Sequence, residues 1–265
     1  MSEALQTRPE DPTRTPIGTP FIELQSVDST NNYARQLIHA GMAQHGMAVF
    51  AHEQVAGKGQ RGRQWFSEKG QNIALSMLMQ PVEIHPSRQF ELSAAISLAV
   101  YQTIHAFVPE YLYIKWPNDL YWQDRKAGGI LIENLISSQD ARWNWAIAGI
   151  GININQTAFS PDLPNPVSIR QITGREFDPL AIAKEIGRQT DLYYREWLAN
   201  GPENIFSEYN RYLYKRNELV KLKKENRVFE ALIKGVNPSG QLLIEHSIPE
   251  AIDFGTVEWA SGMEN

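Results

Sequence analysis

Between Leu112 and Asn155 the chain offers four strand-like runs with almost nothing between them: "LYIKW", "LYWQ", "AGGILIENLI" and "RWNWAIAGIGININ". The first connection is Pro117-Asn118-Asp119 and the second is Asp124-Arg125, both of them residues that favour tight turns. Strands joined this closely pair antiparallel, because a parallel pair needs a crossover of a dozen or more residues. The row therefore predicts an antiparallel or mixed sheet rather than a series of βαβ units.

Helical patterns flank that row, so the fold class expected is α+β, with the sheet covered by helices. "DSTNNYARQLIHAG" carries capping residues at Asp28, Ser29 and Thr30, apolar Tyr33, Leu37 and Ile38 on one face, and Gly41 as a stop. "PSRQFELSAAISLAVYQTIHAF" is read as the longest helix, with a stripe through Leu92, Ile96, Ala99 and Ile104. "DPLAIAKEIGRQTDLYYREWLAN" starts at an Asp178 cap with Pro179 in its first turn, and a further helix covers roughly 203–212. Two more strands are expected, "GMAVFAHEQ" and an alternating "NIALSMLMQ" with one buried face. Residues 1–20 hold four prolines and little to bury, and are expected to be a flexible tail. From about Asn217 short strands joined by polar turns suggest a small β-barrel, dividing the chain into 21–214 and 215–265.

Composition removes several functions. The 265 residues carry a net charge of −5, which argues against binding nucleic acid through phosphate neutralisation. There is no cysteine, so thiolate metal sites, disulfides and cysteine nucleophiles are excluded. No apolar run approaches the ~18 residues of a membrane span and no leader is evident, so a cytoplasmic protein is expected.

Residues 57–63 read "GKGQRGR", which fits the G-x-G-x-x-G dinucleotide fingerprint. That motif works only when a helix follows at once and its N-terminus holds the pyrophosphate. Here "RQWFSEKGQN" follows, and no helix begins in it. The loop still suits an anion: its glycines let backbone amides turn inward, and Lys58, Arg61 and Arg63 add charge. A solvated surface loop is the alternative. Two further clusters bear on the choice. "KWPNDLYWQDRKAGG" places Lys115 and Lys126 at strand ends around Asn118 and Asp119, beside bare backbone at Gly128 and Gly129. "GIGININ" sends Asn153 and Asn155 off a strand that ends in glycines. Each alone also reads as an ordinary hairpin or bulge.

Taken in order, "DSTNNYA", "EQVAGKGQRGRQWFS", "KWPNDLYWQDRKAGGILIE" and "GIGININ" resemble the successive motifs of biotin protein ligases. The resemblance runs from about Phe21 to the C-terminus. It implies the biotin/lipoate ligase fold, akin to class II aminoacyl-tRNA synthetases, with an SH3-like C-terminal barrel, in the form without a DNA-binding domain. It also implies a reaction in which ATP, with Mg2+, and biotin give biotinyl-5′-adenylate, and a lysine of a carboxylase carrier domain then displaces AMP. No membrane or DNA partner is implied, and the protein would be a monomer or homodimer.

By the same resemblance Ser29, Thr30 and Asn31 would reach the ureido ring of biotin, with Gln54 and the backbone of Gly57, Lys58, Gly59 and Gln60 closing over ring and tail. Gly129 would also belong to the biotin side. Lys126 would be the catalytic contact to biotin carboxylate and reacting phosphate. Arg61, Arg63, Lys115, Asn118 and Asn153 would hold the nucleotide. No metal ligands are expected, since no carboxylate cluster is evident. Lys58 and Gln60 depart from the arginines frequent in the family, and lysine lacks the bidentate fork. Trp65 is open to two readings, an adenine-stacking ring or a core residue. The basic run "RYLYKRNELVKLKKENR" reads as a solvated strand face or as a surface for an acidic carrier domain. A lipoate or octanoate ligase and a single-strand nucleic-acid binder, through the loop and Trp65-Phe66, are the alternatives to biotin ligation.

Overall fold

The computed structural model describes residues 15–81 and 84–260. Seven strands form one sheet: β1 (Phe21–Leu24), β2 (Ala48–Ala51), β3 (Ile73–Met79), β4 (Leu112–Lys115), β5 (Asp119–Trp122), β6 (Arg125–Ile136) and β7 (Trp143–Ile152), in the order β1-β2-β3-β7-β6-β5-β4. All neighbours are antiparallel except β1 and β2, which run parallel. The expected mixed sheet is therefore present, with one parallel pair at its edge.

Among the described residues five α-helices accompany it: α1 (Thr30–His39), α2 (Gln89–His105), α3 (Ile169–Thr173), α4 (Pro179–Asn200) and α5 (Glu203–Arg211). α1 covers one face through Ala34 and Leu37 on Val49, Leu78 and Ile147. α2 and α4 lie against the other face, and thirteen residues of α2 are buried. Both faces of β3 are consequently buried, not one as its alternation suggested. The longest helix is α4 at 22 residues rather than α2 at 17, because Asp178 accepts from the Leu180 amide and Gly201 ends it only after six turns.

The expected tail divides in two. Residues 1–14 lie outside the described set, but residues 15–20 are not loose. Ile17 is 2% exposed, its amide donates to Asp191 Oδ1 on α4 at 3.0 Å, and Gly18 rests on Gly187. One apolar residue among prolines was enough to anchor that segment.

The C-terminal strands are β8 (Leu219–Lys224), β9 (Arg227–Val236), β10 (Leu242–Glu245), β11 (Pro249–Ile252) and β12 (Glu258–Trp259), in the order β11-β10-β9-β8-β12. This is a five-stranded antiparallel sheet. A β11–β12 ladder that would close the expected barrel is not among the described pairings. Leu222, Ala231 and Ile233 belong to the same apolar cluster as α2 and β4, so the two sheets share one core. Among the described residues no helix is long and apolar enough to cross a membrane.

Candidate active site

The strand β7 has glycine at 149 and 151, and its neighbours bring Ser76 and Ala74 on one side and Leu131 and Gly129 on the other. Side chains two apart share a face, so this patch of the α1-covered face is nearly stripped of bulk. The space is taken by two side chains from elsewhere. The Asn31 amide lies where Gly149 would carry a Cβ, and the Trp65 indole crosses Gly151, with Cε2 2.6 Å from the position of an added methyl. Beside them is a cavity of about 240 Å³.

At one end of the cavity the N-terminus of α1 points inward. Ser29 is the N-cap, and Ser29, Thr30 and Asn31 are buried. A helix start leaves amides without intrahelical partners; here the Thr30 amide donates to Gln54 Oε1 at 2.8 Å. Thr30 Oγ1 lies 3.1 Å from the same oxygen, so the Gln54 carbonyl is occupied and its NH2 group stays available. Ser76, fully buried on β3, donates to Asn31 Oδ1 at 2.6 Å and lies 2.8 Å from Thr30 Oγ1. Asn31 Nδ2 donates to Glu133 Oε2 at 2.8 Å, and Glu133 is held in turn by Arg35 at 2.8 Å. The orientation of the Asn31 amide is thus set from both sides.

The roof is the glycine loop, folded as a narrow hairpin. The Trp65 amide donates to Gly57 O at 2.9 Å and the Gly59 amide to Arg63 O at 2.7 Å, with a tip at Gln60–Gly62. Gly57 has no room for a side chain, since a Cβ would strike Trp65 O. Lys58 Nζ donates to Asn32 Oδ1 on α1, and Asn32 Nδ2 donates to Asp28, which keeps the Asp28 carboxyl below its ordinary range. Trp65 Nε1 is buried with no partner, a donor at the cavity wall.

At the other end stands Lys126, at the start of β6, its ammonium 2.7 Å from Asp119 Oδ2. The bare Gly129 backbone faces both groups, with Lys126 Nζ 3.3 Å from where a Cβ would lie. Tyr121 closes this end, and burial, then the Asp119 charge, pushes its phenol well above the ordinary value. Asn153 is buried, its Nδ2 donating to Val167 O at 3.1 Å.

Of the residues expected from sequence, Ser29, Thr30, Asn31, Gln54, Lys58, Gly59, Gln60, Arg63, Lys126, Gly129 and Asn153 line this one cavity. Gly57, Arg61, Lys115 and Asn118 do not. Asn118 braces the sheet by donating to Ile130 O at 2.6 Å, leaving its buried Oδ1 without a partner. Lys115 sits in a box of rings, 4.3 Å from the Tyr121 centroid, 5.0 Å from Trp259 and 5.4 Å from Tyr214. Arg61 turns away to the C-terminal sheet, its guanidinium 4.8 Å from the Phe254 centroid. Asp119 was placed in the cluster around Lys126 but given no role, and Ser76 and the wall formed by Phe159, Leu163, Pro164 and Pro166 were not anticipated. Only the proline-rich, aperiodic "FSPDLPNP" hinted at the last. Among the described residues no cluster of three His, Asp or Glu side chains forms a metal cage.

Comparison with known proteins adds to this geometry. Residues 23–153 match the biotin/lipoate A/B protein ligase family. The bifunctional ligase/repressor BirA of Escherichia coli is 32% identical over 227 residues, covering 84% of this chain and 68% of that one. The biotin–[acetyl-CoA-carboxylase] ligase of Paracoccus denitrificans is 37% identical over 164 residues, covering 59% and 65%. The solved biotin protein ligase from Aquifex aeolicus in complex with biotin and ATP has the same fold, with a TM-score of 0.77 at 24% identity over 90% of this chain and 97% of that one. On the length and identity of the Escherichia coli match, the chain belongs to the biotin/lipoate A/B protein ligase family.

Proposed function

We propose that the protein is an ATP-dependent biotin–protein ligase. A biotin carboxylate oxygen attacks the α-phosphorus of ATP and pyrophosphate leaves, giving biotinyl-5′-adenylate. The amine of a lysine on a carboxylase carrier domain then attacks the acyl carbon, AMP leaves, and the amine proton passes to solvent. The observation that carries this reading is the shared cavity, with neutral hydrogen-bonding groups at one end and Lys126 at the other.

The chemistry asks for that division. A ureido ring is neutral and needs paired donors and acceptors, which Ser29, Thr30, Asn31 and the Gln54 NH2 group supply. The reacting centre brings two anions together, so a fixed cation is needed to offset their repulsion and the charge that grows in the transition state. Lys126 has that role in this reading, with Asp119 orienting its ammonium before substrates arrive. Arg63 and Asn153, in the same wall, face the nucleotide. Arg61, Lys115 and Asn118 lie beyond the wall, and in this reading they act on the nucleotide side through position rather than as lining. Magnesium would arrive on the ATP phosphates and would supply charge neutralisation there; among the described residues the protein has no carboxylate cage of its own.

The same reading makes residues 21–214 the catalytic unit and 215–265 an accessory one, working on a carrier domain in the cytoplasm without DNA or membrane, as a monomer or homodimer. A lipoate or octanoate chain offers no hydrogen-bonding partner to the Gln54 NH2 group and the Ser29 hydroxyl at this end of the cavity, which disfavours it. The test is biotin-dependent exchange of pyrophosphate into ATP by the purified protein, with lipoate as competitor. Exchange driven by lipoate and not by biotin would reverse the assignment.

A further inference from the structure

The roof of the cavity ends in a contact that the ligase chemistry does not require. At the hairpin tip Arg61 adopts φ 56°, ψ 39°, a left-handed backbone that a residue with a Cβ adopts at a cost. Its side chain leaves the cavity and reaches the turn between β11 and β12. There the guanidinium lies over Phe254, 4.8 Å from the ring centroid. It also occupies the space above Gly255: a methyl group at that position would coincide with Arg61 Nη2. Gly255 itself has φ 88°. The turn is braced from behind, because Phe254 meets Trp116 edge to face at 5.7 Å and Trp116 Nε1 donates to Gly240 O at 2.9 Å. A ring, a bare backbone and a rigid support together make a seat shaped for one guanidinium.

We propose that Arg61 is a positioning residue that latches the glycine loop over the cavity by seating its guanidinium on Phe254 and against Gly255 of the C-terminal sheet. The base of the loop is tied to α1 through Lys58 and Asn32. Among the described residues no hydrogen bond or ion pair ties the tip, Gln60–Gly62, to the catalytic sheet; its tie is the seat on the C-terminal sheet. Closure of the roof over Gln54, Trp65 and Lys126 is thereby coupled to the C-terminal sheet, which contributes no residue to the cavity wall. An effect of the latch on release of bound biotin rests on the ligase reading; the latch itself does not.

The experiment uses the full chain and two readouts. Trypsin can cut after Lys58, Arg61 and Arg63. Cutting after Lys58 and Arg63, the two sites shared by wild type and R61Q, is read at low protease, where it follows the open population of the loop. Losing an exposed cation–π contact should raise it about two- to fivefold. We expect that rise in R61Q and in F254L, no further rise in the double variant, and protection near wild type in F254W, which keeps a ring. R61Q leaves the Phe254–Trp116 contact intact, so it separates the latch from packing of the turn. The dissociation rate of bound biotin should rise by the same factor, with the thermal midpoint of R61Q unchanged. Unchanged cutting in R61Q, or effects of the two substitutions that simply add, would overturn the latch. If the cutting behaves as expected but wild type binds no biotin, the latch stands and the ligase reading falls.

Discussion

The Lys126 ammonium and the Asp119 carboxylate are 2.7 Å apart across a turn that places β5 beside β6, and both line the cavity. Each is about a third exposed, so the pair adds little to stability, and its value lies in direction. Lys126→Ala should lower biotin-dependent pyrophosphate exchange by about 10²–10³-fold, the range for removing one fixed transition-state contact. Its circular dichroism and thermal midpoint should stay as in wild type. Asp119→Asn frees the ammonium without removing it, so the loss should be smaller and fall on kcat. An Asp119→Asn enzyme as slow as Lys126→Ala would show that the carboxylate does more than orient.

Ser76 predicts a different pattern, because it touches no solvent. Its hydroxyl satisfies the Asn31 carbonyl, and Asn31 lines the cavity over Gly149. Ser76→Ala strands a buried acceptor, which costs about 1–3 kcal/mol of folding free energy. Denaturant melts should register that loss, and calorimetry should register weaker biotin binding. Ser76→Thr keeps the hydroxyl but adds a methyl beside α1. A Ser76→Ala protein with unaltered biotin affinity would mean that the amide orientation is set by Glu133 alone.

Gly151 gives the site its depth. A methyl there would stand 2.6 Å from Trp65 Cε2, so the indole must shift within a packed wall. Overpacking of this kind costs about 1–3 kcal/mol, and it acts on the roof more than on the sheet. Gly151→Ala should therefore weaken biotin by roughly ten- to hundredfold while strand content, read by circular dichroism, is kept. Tryptophan fluorescence gives the check, since the ring that moves is the one over the cavity.

The sequence showed where chemistry would gather better than it showed where side chains would point. Caps and periodicity located α1 and α4: Asp178 and Pro179 act within one turn, and Ser29 stands at the N-cap position although its side chain makes no cap hydrogen bond. The hairpin row from β4 to β7 followed from turn residues alone. β1 was not read at all: four residues in parallel pairing across α1 leave no local signal. β3 was read as half buried because Ser76 interrupts its apolar run, and only the layer of α1 above it explains a polar residue with no exposure. Arg61 and Lys115 show the limit most directly. Their partners, Phe254 and Trp259, lie more than a hundred residues away in another sheet, and no spacing rule links them.

Lys115 is the group whose titration the fold has altered most usefully. Burial among Tyr121, Tyr214 and Trp259 pushes its ammonium down to about 8, with Lys126 adding to the shift and Asp119 and Asp124 opposing it. The ordinary value is 10.5, so between about pH 8 and 10.5 the unfolded chain binds a proton that the folded chain has lost. Unfolding free energy from this group therefore rises with pH through that window, with a slope of at most about 1.4 kcal/mol per pH unit. Below pH 8 both states are protonated and the full cost of burying the charge is present. Lys115→Met removes the proton and keeps most of the volume, so the pH dependence of wild type minus variant isolates the group. Urea melts from pH 7 to 10.5 should show that difference moving in favour of wild type as pH rises. If bound nucleotide phosphate draws on this charge, it favours the protonated form, and the alkaline fall in exchange activity should shift upward at saturating ATP. A flat difference across the window would mean that the rings stabilise the ammonium enough to cancel its desolvation.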